Sequence, residues 1–108
     1  MTPFDPPPSE PVFHLAVAET WAAAQAQQRW PWSTNGRTQA DEGFVHLCLD
    51  EQLAGVRIRW FAGLHVVELR VDVARCPPAW RLEAASVNGD ERFWHLYAEL
   101  PFAALHPR

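Results

Sequence analysis

With 108 residues, 48% of them hydrophobic and twelve of them Trp or Phe, the chain has apolar material for one packed core and no length for a second. Its net charge of −4 comes with nine arginines, no lysine and no basic run, which leaves out the electrostatic footprint of a duplex nucleic-acid binder. Cys48 and Cys76 lack a CxxC spacing, and no apolar run reaches the length of a membrane span, so neither a redox pair nor a membrane partner is expected and the expected location is the cytoplasm.

Taken in order, residues 1–10 carry Pro3, Pro6, Pro7 and Pro8, a density that predicts a flexible, solvated arm ahead of a single domain over 11–108. Residues 11–16 alternate as a strand, with Phe13 and Leu15 on one face and Val12, His14 and Ala16 on the other. An Ala- and Gln-rich helix follows over 18–28, with Trp21, Ala24 and Gln28 at helical spacing and Pro31 closing it. Residues 29–40 hold Pro31, Asn35-Gly36 and several hydroxyls and predict a long loop, where Trp30 and Trp32 could wall a ligand site or an interaction surface.

Gly43 marks a sharp entry into a strand over 44–48, which puts Phe44, His46 and Cys48 on one face. A helix is predicted from Asp50 to Phe61 with Leu53, Val56 and Trp60 buried, and Gly63 ends it. Residues 65–72 alternate as a half-solvated strand, and Cys76-Pro77-Pro78 forces a break. A strand over 80–85, the turn Asn88-Gly89-Asp90 and a strand over 93–97 read as a hairpin, with a last helical turn over 101–105. Strands outnumber helices without regular alternation, which predicts an α+β fold.

Three histidines, His14, His46 and His95, each precede a leucine in a short apolar run, where an imidazole is costly to bury without a partner. If their strands are neighbours, the rings converge on one cleft as acids, bases or hydroxyl partners; otherwise each is a core histidine satisfied by backbone. Zinc is the less favoured use, since three histidines suit it but no ligand spacing such as HExxH accompanies them. Tyr97 could stack on a base or nicotinamide ring or cap the core, and Glu83 could orient a histidine, polarise a ribose hydroxyl or lie in solvent. Cys48 is open between a nucleophile and a small buried hydrophobe, and Arg59 between a phosphate partner and a solvated helix face.

The run Asp41-Glu42-Gly43-Phe44-Val45-His46-Leu47, with the His-Leu strand before it and His95-Leu96-Tyr97 after it, resembles the bacterial family called domain of unknown function 952. The likeness spans about 12–105 and takes in Glu51-Gln52, Arg59-Trp60-Phe61, Arg81-Leu82-Glu83 and Leu100-Pro101. The chain departs from the family at Cys48, usually Ser or Thr, and at Ala98-Glu99, usually Gly-Pro. The resemblance implies a fold like that of ADP-ribosyltransferases and RNA 2′-phosphotransferases, a small mixed or antiparallel split sheet with two main helices. It implies a ligand such as NAD or ADP-ribose in a cleft, with His14 carried over as a ribose contact. The expected function is binding of a nucleotide-like small molecule, with His14, His46, His95 and Glu83 as catalytic candidates for transfer at the ribose and Tyr97, Cys48, Arg59 and Trp32 as ligand contacts. The alternative is a non-catalytic ligand-sensing or protein-interaction domain.

Overall fold

The computed structural model describes residues 3–84 and 89–108. Strand β1 (Val12–Val17) becomes the centre of the larger sheet because both of its faces are apolar. Val12 and Ala16 pack into the main core, while Phe13 and Leu15 pack on the opposite side. The helix α1 (Ala18–Gln27) follows directly, buries Trp21 and Ala24, and ends at Gln28, whose left-handed backbone (φ 58°) returns its N–H to the Ala24 carbonyl.

The predicted long loop folds into structure of its own. The hairpin of β2 (Trp32–Thr34) and β3 (Arg37–Thr38) turns at Asn35-Gly36, where Gly36 takes φ 72°. The short helix α2 (Gln39–Glu42) is capped by the Thr38 hydroxyl, which accepts from Asp41 N, and stops at Gly43.

The strand predicted over 44–48 is two strands in two sheets. β4 (Val45–His46) and β5 (Cys48–Leu49) are separated at Leu47, whose N–H donates to the Trp94 carbonyl at 3.0 Å. A turn over Asp50–Gln52 leads into α3 (Leu53–Trp60), whose buried contacts are Leu53 and the following Phe61. Trp60, expected in that stripe, is 64% exposed. After β6 (Val66–Val71), the hairpin strands β7 (Trp80–Ala84) and β8 (Arg92–Leu96) pair antiparallel; residues 85–88, with the predicted turn residue Asn88, lie outside the described residues. The predicted last turn spans Phe102–Ala104 and runs into a further strand, β9 (Leu105–Pro107).

The larger sheet has the order β5-β1-β6-β9 and the smaller β4-β8-β7, and the named pairings are all antiparallel. The fold is α+β, and the sheet expected to be mixed or antiparallel is antiparallel. The main core combines Val12, Leu69 and Val71 of the larger sheet with Val45, Trp80, Trp94 and Leu96 of the smaller one and Trp21 of α1. On the other side of β1, α3 covers Phe13, Leu15 and Cys48. No helix among the described residues is long and apolar enough to cross a membrane.

The proline-rich segment is not a free arm. Asp5 N donates to the Trp80 carbonyl and its Oδ2 accepts from Leu82 N, both at 2.8 Å, so the segment runs along β7. Phe4 packs on the main core and Pro8 is buried. Prolines withhold amide donors without preventing the residues between them from pairing. Deleting residues 1–8 is therefore expected to cost about 2 kcal/mol, from two hydrogen bonds and the Phe4 contact. An unchanged denaturation midpoint in the truncated chain would return the segment to solvent.

Candidate functional site

The pairing of the smaller sheet places His46 directly opposite His95, and His95 directly opposite Arg81. Opposed residues share a face, so these side chains form a row across three strands, on the side away from the core residues Val45, Leu96 and Trp80. The two imidazole centroids lie 5.3 Å apart, nearly perpendicular. Phe44 stacks on His95 at 4.2 Å and also lies 4.9 Å from His46 and 5.3 Å from Tyr97. Ser33 of β2 fixes Phe44 from behind, its hydroxyl donating to the Phe44 carbonyl at 2.5 Å.

His95 is 8% exposed, and its Nδ1 lies 2.9 Å from Glu83 Oε1. A carboxylate accepts, so Nδ1 carries the proton and Nε2 is the nitrogen free to exchange one. Tyr97 donates its hydroxyl to the same Oε1 at 2.5 Å. Burial works against ionisation of Glu83, but the hydrogen bonds from Tyr97 and His95 and the Arg81 charge hold it below the usual carboxylate range. Burial and the Glu83 carboxylate push the Tyr97 phenol up to about 12. At neutral pH, Glu83 is thus an anion and Tyr97 a donor.

His46 is the exposed member, with 44% of its side chain in solvent and a long 3.4 Å contact from Nε2 to Glu42 Oε1. Partial burial draws its pKa below the ordinary value, Glu42 partly opposes this and His95 reinforces it. A neutral imidazole beside a carboxylate-fixed one can accept a proton while its neighbour, when protonated on both nitrogens, donates one from Nε2.

His14 does not join this row. It is 2% exposed, its ring meets Trp30 edge-on at 5.6 Å, and Nδ1–H donates to the His46 carbonyl at 2.8 Å. Burial pulls its pKa to about 4, so it is neutral and holds the backbone of β4 from within the core. The expected convergence of three rings is therefore a convergence of two, with the third supporting one of them through its main chain.

Cys48 also lies apart. The switch of sheets at Leu47 carries it to the α3 side of β1, where it is 3% exposed and burial pushes its thiol up to about 12, which leaves no thiolate for attack. Arg59 sits on exposed α3 with its guanidinium 3.6 Å from Glu91. Trp32 lines a hollow of about 110 Å³ with Trp30, Thr34 and Phe61, and a larger hollow of about 480 Å³ is lined by Phe13, Asp50, Arg70 and Arg108. Neither hollow includes a residue of the histidine row. Among the described residues no group of three or more His, Cys, Asp or Glu is placed to hold a metal ion.

The structure thus gathers His46, His95, Glu83 and Tyr97 and adds Phe44, Glu42 and Arg81, which the sequence reading did not place in the site. Phe44 and Arg81 were detectable by strand periodicity, since they lie two residues from His46 and Glu83 respectively. Glu42 is not, because the pattern predicts a loop over 29–40 and a sharp strand entry at Asp41-Glu42-Gly43, whereas the structure has the helix α2 there.

The chain is similar to the crystal structure of protein CC0527 from Caulobacter crescentus, with 29% identity over 88% of this chain and 80% of that one and a TM-score of 0.71. A double mutant of the same protein matches with the same figures. No curated protein matches the chain. Residues 15–106, from β1 to β9, match the family described as "Protein of unknown function (DUF952)", and the chain belongs to that family.

Proposed function

We propose that the protein binds a nucleotide-like ligand of the NAD or ADP-ribose class against the His46–His95 face and uses the two imidazoles for acid–base transfer at its ribose. The observation that carries this reading is the cross-strand pair itself, 5.3 Å between rings, with Glu83 fixing the tautomer of one. His46, neutral at pH 7, takes the proton of the hydroxyl or water that bonds to the ribose carbon, and His95, entering the step protonated on both nitrogens, gives its Nε2 proton to the leaving group as the bond to that carbon breaks. Phe44 and Tyr97 offer aromatic surface for a base or nicotinamide ring. The split arrangement of two antiparallel sheets supports an ADP-ribosyltransferase-like fold, and His14 acts in it as a prop for β4 and not as a ribose contact.

One feature favours the second reading, ligand sensing without turnover. Glu83 Oε1 already accepts from both Tyr97 and His95, so that oxygen serves the protein's own groups and only Oε2 is left to polarise a ribose hydroxyl.

A thermal-shift series with NAD, ADP-ribose and AMP tests the site. A ligand at about 100 times its Kd stabilises the fold by about 2.7 kcal/mol. A raised midpoint is expected for the wild type and none for His46→Ala. The variant alone should keep its stability within about 1 kcal/mol, because the side chain is exposed and its backbone carbonyl still serves His14. Equal shifts in both proteins, or none in either, defeat the proposal. Product formation from a ligand that does bind separates transfer from sensing.

A further inference from the structure

Arg81 completes the row beside His95, yet the acid–base scheme gives it no task. Its guanidinium carbon lies 5.3 Å from the Tyr97 ring centroid and 5.6 Å from that of Phe4, so aromatic rings hold the group. Its Nε is buried without a hydrogen-bond partner. The buried Nε faces no solvent, so an anion arriving at this face meets the outer N–H groups of the guanidinium.

The nearby acids do not fill that role. Glu83 lies close enough for Arg81 to lower its pKa, but its Oε1 is taken by Tyr97 and His95. Asp5 uses its carboxylate on Leu82 N and its own N–H on the Trp80 carbonyl, the residues on either side of Arg81. That bracket places Phe4 against the guanidinium, so the N-terminal segment orders the arginine in advance of any ligand. Pre-ordering a long side chain removes much of the entropy lost on binding, and a planar guanidinium matches two oxygens of a phosphate at once.

We propose that Arg81 is the anion receptor of this face, taking a phosphate or phosphate-ester group beside His95, and that Phe4 is a positioning residue for it. The inference rests on the His46–His95 face as the ligand site and specifies the chemistry of what binds there: an anionic phosphate group, as carried by a nucleotide.

The test is a titration of the isotope-labelled full chain with inorganic pyrophosphate, AMP and adenosine, reading the imidazole signals of His46 and His95. Pyrophosphate and AMP are expected to move the His95 signals of the wild type. Arg81→Met should weaken both anions by about ten-fold or more, whereas Arg81→Lys, which keeps charge but loses the planar fork, should fall between them. Phe4→Ala should weaken them a few-fold, with denaturant midpoints checking that each variant is folded. Should Arg81→Met not fold, the deficit in Arg81→Lys carries the test.

Wild-type affinity for pyrophosphate in the folded Arg81 variants overturns the inference, as does a wild-type chain whose His95 ignores pyrophosphate. If pyrophosphate binds through Arg81 but AMP binds no better and adenosine not at all, the anion receptor stands and the nucleotide reading falls.

Discussion

Acidification from pH 6.5 to pH 4 is expected to cost the fold about 3 kcal/mol through His14 alone. In the unfolded chain this imidazole has its ordinary pKa of 6.5, whereas burial in the folded protein draws it to about 4. Between those values the unfolded state binds a proton that the folded state refuses, so stability is full above about pH 6.5 and falls as pH drops toward the folded value. Each pH unit of separation corresponds to about 1.4 kcal/mol, which sets the size. His46, also drawn down by burial, adds to the loss in the same direction. Glu83 and Asp50, both held below their ordinary values, contribute at the lower edge of the window and beyond it.

Urea midpoints measured across this range should therefore slope steeply in the wild type. His14→Gln, which keeps an amide donor for the His46 carbonyl but cannot take a proton, should flatten most of the slope. A variant as acid-sensitive as the wild type would show that His14 titrates freely and is not sealed as described.

Trp30→Ala is expected to destabilise the protein by about 4 kcal/mol, the middle of the range for deleting a buried aromatic side chain. Trp30 is 2% exposed and joins three parts of the molecule: it touches Trp21 of α1, meets His14 of β1 edge-on, and bridges Leu100 through its backbone. Removing the ring opens a void between elements that cannot close on it without moving α1. Its indole N–H, however, is buried with no partner, so the polar end contributes no bond to be lost. Trp30→Phe should consequently cost far less, about 1–2 kcal/mol, because it gives up volume and no hydrogen bond. Equal losses in the two variants, read by urea denaturation at pH 7.5, would mean that the N–H is bonded after all.

Much of the fold was legible wherever local pattern and tertiary environment agree. β1 and β6 alternate cleanly, and their observed register pairs His14 with Leu69 and Val12 with Val71, as two inward faces should. The helix over Ala18–Gln27 ended within a residue of its expected stop. Asn35-Gly36 is a turn signal, but the pattern around it predicts only a loop because the strands of that hairpin are two or three residues long and show no alternation. β9 has no sequence signal for a related reason: Leu105–Pro107 is short and contains a proline, which an edge position tolerates. Trp60 was expected inside by helical spacing, but the chain leaves helical geometry at Phe61, and that ring takes the buried place.

By itself the sequence determined the α+β class, the presence of one main core, the faces of β1 and the candidate histidines, since each follows from composition and from periodicities of two or 3.6 residues. The tertiary structure alone decided which histidines meet. His46 and Cys48 share a face in an unbroken strand, but Leu47 leaves one sheet for the other, and the two side chains end on opposite sides of β1. His14 and His46 are joined through a carbonyl and not a ring, a relation that no spacing announces. Periodicity tells which residues of one strand face together; which strands become neighbours is set by long-range packing, and both the histidine pair and the arginine beside it are products of that choice.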